Sequence, residues 1–297
     1  MTSAQCPEPR HPGERIMSYG KRTRLVGMLS HAQPSDARTG SHPLCVILLN
    51  AGVVRKVGPG RLNVELARRI SRSGLDTFRF DFAGVGDSPE RTDGKGLAEG
   101  VITDVQETMD HLERTLGYRR FVVMGLCSGA DNGMRAAEQD DRIVGVAMFD
   151  PTIDRTPRWY WEAIKVRLRS LEGLKTIITP RNKFLRRLLG LSGKAREAGD
   201  GAGEQPELYQ VTYADRASIT QCLNTLMARD VKLFVTFTGS WDFIYNYESQ
   251  FLDVYRSVPF ADRLNLSFRP QADHSFLDAR HRNTLFNDLA DWCRQLA

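Results

Sequence analysis

The sequence predicts an α/β protein built on a mostly parallel, doubly wound sheet, interrupted once by an inserted helical cap. Three observations predict it. Residues 44–49 (LCVILL) form an unbroken apolar run, as a strand covered on both faces requires. After it, short apolar runs alternate with stretches of helical periodicity, the pattern of a layered α/β fold. Residues 154–230 then abandon that rhythm: they are rich in Arg, Leu and aromatics, with a glycine-rich gap at 199–203.

The elements follow in order. Residues 1–15 are polar and proline-containing and are expected to form a poorly ordered tail. Strand patterns begin near Ile16 and over 25–29, before the turn-rich 33–42. Leu62, Leu66 and Ile70 share a helical face, and 77–80 is a strand. Val101, Val105, Met109 and Leu112 recur at three- and four-residue intervals, marking an amphipathic helix. Residues 121–124 and 143–149 are strands on either side of a small-residue helix over 130–137. Beyond the cap come strands at 233–237 and 264–268, a helix at 249–254, and a closing helix over 280–296 with Leu285, Leu289 and Trp292 on one side. The implied division is a core of 16–153 and 231–297 with the cap at 154–230.

Bulk composition fits that picture. A chain of 297 residues can bury a large core, and 41% hydrophobic with 26% charged residues is globular. No apolar run is long enough to span a membrane, and the N-terminal residues lack a signal-peptide apolar block, so a cytoplasmic location is expected. Five cysteines with no close C-x-x-C pair argue against a disulfide framework and a structural zinc site. The net charge is +5, but between Arg155 and Glu197 stand twelve basic and three acidic residues.

The strongest local motif is Gly125-Leu126-Cys127-Ser128-Gly129, set between a strand and a helix. It has the form of a nucleophile elbow with Cys at the centre. Glycines two places before and after let strand and helix approach closely, lifting the central side chain above the carboxyl edge of the sheet. The positive N-terminal end of the following helix favours a thiolate there. The plainer alternative is a buried, inert Cys127 between ordinary turn glycines. Downstream, Asp242 follows a strand in Phe237-Thr238-Gly239-Ser240-Trp241-Asp242, and His274 follows the last strand. Nucleophile, acid, base is the chain order this chemistry takes on such a sheet: imidazole removes the thiol proton and a carboxylate fixes its tautomer. Asp150, ending the preceding strand, is the alternative acid. An oxyanion hole is expected from the amide of Ser128 and from Ala51 or Gly52 in the loop after residues 44–49. Trp159, Tyr160 and Trp161 are expected to line the mouth of an apolar acyl pocket.

Other features carry less. The G-x-G within residues 81–88 lacks the third glycine of a nucleotide fingerprint and is a structural turn. His111 has no ligand partner one turn away, so no metal is expected. Arg55, Arg61 and Arg79 could meet a substrate carboxylate, although solvated or structural arginines are commoner.

With these residues placed, the chain from Ile16 to Leu296 resembles the α/β-hydrolase superfamily. Within it, Asn50-Ala51-Gly52 through Gly58-Pro59 and Arg61, then Arg79-Phe80-Asp81 with Gly84-Val85-Gly86-Asp87-Ser88, and the Cys127 elbow are similar to bacterial hydrolases found beside exosortase systems and in natural-product gene clusters. The departure from the superfamily's commonest pattern is Cys in place of Ser. An acyl-cysteine is a thioester and keeps more transfer potential than an ester, so the cysteine points to transacylation, cyclisation or thioester off-loading, for which thiol, imidazole and backbone amides suffice without a cofactor. The basic run suggests an acidic acyl carrier protein as partner. Two alternatives stay open: a simple ester or lactone hydrolase, and a silent scaffold used for binding. Nucleic-acid binding is disfavoured, since no recognition motif accompanies the basic and aromatic residues.

Overall fold

A computed structural model describes residues 13–21, 23–32, 43–168 and 215–297. Among the described residues, eight strands form one sheet in the order β1-β2-β4-β3-β5-β6-β7-β8. They are β1 (Glu14–Tyr19), β2 (Leu25–Ser30), β3 (Leu44–Leu48), β4 (Asp76–Asp81), β5 (Arg120–Leu126), β6 (Ile143–Phe149), β7 (Lys232–Thr238) and β8 (Leu264–Arg269). The pairs β1/β2 and β2/β4 are antiparallel, and every other neighbouring pair is parallel. This is the mostly parallel sheet the apolar runs require.

Helices cover both faces. On one side lie α1 (Leu62–Arg72) and the closing helix α7 (Ala279–Leu296); on the other lie α2 (Leu97–Leu116), α3 (Ser128–Gln139) and α5 (Arg216–Ala228). Two further helices, α4 (Pro157–Leu168) and the short α6 (Gln250–Val254), precede α5 and α7 in the chain. Successive residues of a strand point to opposite faces, so β3 divides its side chains. Val46 and Leu48 join Leu62, Leu66, Ile70, Leu285 and Leu289 in one core cluster. Cys45 and Ile47 join Val105, Met109, Leu112 and Leu223 in the other. Both sides are dry, which is why residues 44–48 contain no polar side chain.

The N-terminal boundary differs from the expected one. Glu14 and Arg15 belong to β1, and Glu14 is held by Arg68 at 3.1 Å and Arg79 at 3.2 Å. Arg79 therefore ties the edge strand to the sheet. The remainder of the expected tail, residues 1–12, lies outside the described residues.

The insertion falls between β6 and β7, as expected, and carries helices α4 and α5; residues 169–214, with most of the basic run, lie outside the described residues. The α4 end is fastened to the loop after β7. Trp159 Nε1 donates to the Asp242 carbonyl at 3.2 Å, Asn246 Nδ2 to the Trp159 carbonyl at 3.0 Å, and Arg155 Nε to the Phe243 carbonyl at 2.7 Å. Among the described residues, no helix is long and apolar enough to cross a membrane.

Candidate active site

The site grows from the carboxyl ends of the central strands. Chain leaves β5 at Leu126 and enters α3 at Ser128, leaving Cys127 alone on the turn with φ 55° and ψ −122°. A non-glycine residue in this region carries roughly 1–3 kcal/mol of strain and persists where its surroundings over-determine it. Here the Cys127 N–H donates to the Phe149 carbonyl at 2.8 Å, and the Cys127 carbonyl accepts from Ala130 N at 2.9 Å. The flanking glycines are sterically obligatory. A Cβ on Gly125 would stand 2.2 Å from the Gly129 backbone, and one on Gly129 would stand 2.4 Å from the Asn50 carbonyl oxygen.

This geometry separates Cys127 from the other described thiols. Cys45, Cys222 and Cys293 are buried, whereas Cys127 is half-buried. Burial pushes the Cys222 thiol up to about 12 and raises those of Cys45 and Cys293, keeping all three protonated.

His274 sits in the loop between β8 and α7. Its backbone N–H donates to Ser240 Oγ at 2.8 Å, and its ring stacks on Trp241 with centroids 4.2 Å apart and planes 5° from parallel. Nδ1 lies 2.7 Å from Asp150 Oδ2. Burial opposes protonation of this ring, but hydrogen bonds with Asp150 and with Cys127, and the charges of both, outweigh it and raise His274 to about 9.

The carboxylate on His274 is thus Asp150, the alternative acid, and not Asp242. Asp150 follows β6 with φ 46° and is fully buried. It also accepts from Thr238 N at 2.6 Å and Thr238 Oγ1 at 2.7 Å. Three donors on one buried carboxylate matter, because a buried charge without partners costs several kcal/mol. The reason Asp242 fails to reach the ring is local. After β7 the chain turns through a 3-10 segment, Gly239–Trp241, pressed so tightly on the β8 side that a Cβ on Gly239 would stand 1.9 Å from the Pro270 carbonyl oxygen. The turn presents Trp241 to His274 and leaves Asp242 exposed, its carbonyl engaged by Trp159.

The loop after β3 lies beside the elbow. Ser128 occupies the first position of α3, where a backbone N–H has no intrahelical acceptor. The Gly52 amide donates to Ser128 Oγ at 2.7 Å. The loop and the elbow thus meet through the Ser128 hydroxyl. Ala51 and Cys127 are both partly buried against the core cluster that includes Leu62, Leu66 and Leu285. The loop is held from below by Asn50, whose Oδ1 accepts Phe82 N at 3.0 Å and whose Nδ2 donates to the Val54 carbonyl at 2.8 Å. Buried Asp81 accepts Lys56 N at 2.5 Å and Lys56 Nζ at 2.6 Å. The signal for this clamp was present in Arg79-Phe80-Asp81 and the turn that follows, but its partner lies 25 residues away.

The aromatic trio is divided. Trp159 is buried as the α4 anchor, Tyr160 meets it edge-on at 5.1 Å, and Trp161 is 65% exposed. Three consecutive residues on a helix point about 100° apart, so the three rings face different surroundings. His111 stacks on Tyr19 at 4.5 Å. Among the described residues, no group of three or more His, Cys, Asp or Glu side chains is placed to hold a metal.

Comparison with known proteins agrees with this architecture. No family model matches the sequence, and no curated protein matches it. Among solved structures, an esterase of Pyrococcus furiosus superposes with a TM-score of 0.58 at 13% identity, covering 99% of this chain and 95% of its own. A hypothetical protein of Pseudomonas aeruginosa gives 0.59 at 14%, covering 97% and 94%. Mouse alpha/beta hydrolase domain-containing protein 10 gives 0.54 at 11%, covering 96% and 100%. The chain has the α/β-hydrolase fold, a mostly parallel sheet with an inserted helical cap.

Proposed function

We propose that this chain is an acyl-cleaving enzyme in which Cys127 is the nucleophile, His274 the base and Asp150 the orienting carboxylate, with water as the ordinary acceptor. The observation that carries the reading is His274 held at Nδ1 by buried Asp150, with the half-buried Cys127 at the elbow among the groups that raise the imidazole to about 9. Because Asp150 takes Nδ1, Nε2 is the nitrogen left to serve the thiol.

The reaction follows from these roles. The Cys127 sulfur attacks the acyl carbon while His274 holds the thiol proton, and the carbonyl electron pair moves onto oxygen. Collapse of that tetrahedral adduct breaks the bond to the leaving alkoxide or thiolate, which takes the proton from His274. The acyl-cysteine is then attacked by water, whose proton passes to His274 and returns to the departing Cys127 sulfur. Thiol, imidazole and carboxylate are restored.

Hydrolysis of esters is favoured because a fold relative of similar length is an esterase. Transfer to an alcohol or amine, including off-loading of a carrier-borne thioester in a biosynthetic pathway, is the second reading, and the sulfur itself favours it, since a thioester intermediate retains transfer potential. One experiment separates them. The chain is incubated with a panel of nitrophenyl esters and acyl thioesters, and intact mass is followed alongside turnover. An acyl adduct on Cys127 with full turnover in water alone supports hydrolysis; an adduct that is slow in water and discharged by an added alcohol or amine supports transfer. Absence of any adduct, with Cys127 unreactive to iodoacetamide, leaves the scaffold reading.

A further inference from the structure

We propose that the Ser128 hydroxyl is a catalytic donor to the oxyanion, so that the Gly52 amide acts through it. This rests on the reading of Cys127 as nucleophile and goes beyond the usual two-amide hole. Ser128 is adjacent to Cys127, is almost fully buried, and takes the Gly52 N–H on its Oγ at 2.7 Å. A hydroxyl has one proton to donate besides its lone pairs. Among the described residues, nothing accepts the Ser128 proton.

The amide that would otherwise point into the hole is thus occupied, yet the donor is not lost. It is passed on. Accepting from an N–H polarises an O–H and strengthens the bond the hydroxyl gives in turn. The Ser128 backbone N–H, at the first position of α3, provides a second donor from the same residue. One residue therefore faces the developing negative oxygen with both its amide and its hydroxyl. The β3 loop, fixed by Asn50 and Asp81, aims the relay from behind.

The test is Ser128→Ala, compared with wild type on an oxoester and the matching thionoester, whose C=S accepts hydrogen bonds poorly. Ser128→Ala is expected to lower kcat on the oxoester by on the order of 10²-fold with little change in KM, the usual consequence of removing one oxyanion donor. The oxo-to-thiono rate ratio falls with it, while the rate of Cys127 alkylation by iodoacetamide and the circular dichroism spectrum stay at wild-type values. An unchanged or raised kcat would overturn the proposal, because the freed Gly52 amide would then be the true donor and the hydroxyl its occupant. A lowered kcat with an unchanged oxo-to-thiono ratio would overturn it too, reducing Ser128 to a structural part. A wild-type chain that forms no adduct at Cys127 sinks the nucleophile and this donor together; either outcome in Ser128→Ala sinks the donor alone.

Discussion

The ends of β6 and β7 offer the same chemical group to the site and use it in opposite ways. Beyond β6 the chain bends at once, at Asp150 with φ 46°, and turns its carboxylate inward under three donors. Beyond β7 a tight 3-10 turn intervenes, and Asp242 emerges exposed, contributing its carbonyl to the α4 anchor. Thr238, the last residue of β7, serves the Asp150 carboxylate with both its amide and its hydroxyl. What the contrast teaches is that chain order nominates a carboxylate, whereas burial and donor count decide which one meets the imidazole.

The comparison can be broken at several points. The largest effect is expected at Cys127, the proposed nucleophile: Cys127→Ala should abolish the acyl adduct by intact mass and leave no turnover above background. Asp150→Asn follows, with a loss in kcat on the order of 10³–10⁴-fold in a steady-state ester assay, because an amide at that place holds the wrong imidazole tautomer. A loss of that size at Asp242 instead would reverse the assignment.

Stability should carry the same signature. His274 is raised in the folded chain to about 9 from an ordinary 6.5, so its protonated form stabilises the fold fully below pH 6.5, and that contribution disappears as pH rises through about 9. Discounted for solvent screening, the loss is about 1–2 kcal/mol. Urea unfolding at pH 6 and pH 10 should show it in wild type and not in His274→Gln. The smallest effect is predicted for Asp242→Ala, whose backbone carbonyl still accepts from Trp159: kcat and KM within about twofold of wild type.

Much of this was legible in the sequence, for a physical reason. Strands covered on both faces admit no polar residue, so β3 and the pattern of α2 declared themselves by composition and period alone. The elbow was equally plain, because only glycine at 125 and 129 lets the strand, the helix and the β3 loop come together. His274 was reachable from its place after the last strand. The choice between Asp150 and Asp242 was not, since it depends on how far each loop travels before its side chain turns in. Nor were the Asn50 and Asp81 clamp, the Trp241 stack or the Ser128 hydroxyl, each of which is defined by a partner distant in the chain. The aromatic trio is divided because three neighbours in sequence share no helix face.

The indole beneath His274 gives the site its own optical reporter. Trp241 lies parallel to the imidazole at 4.2 Å, close enough for a protonated ring to draw on its excited state and dim its emission. With four tryptophans in the chain, the Trp241→Phe difference spectrum isolates that signal. Brightening as the solution is made alkaline would follow the proton on His274 directly, without substrate or label.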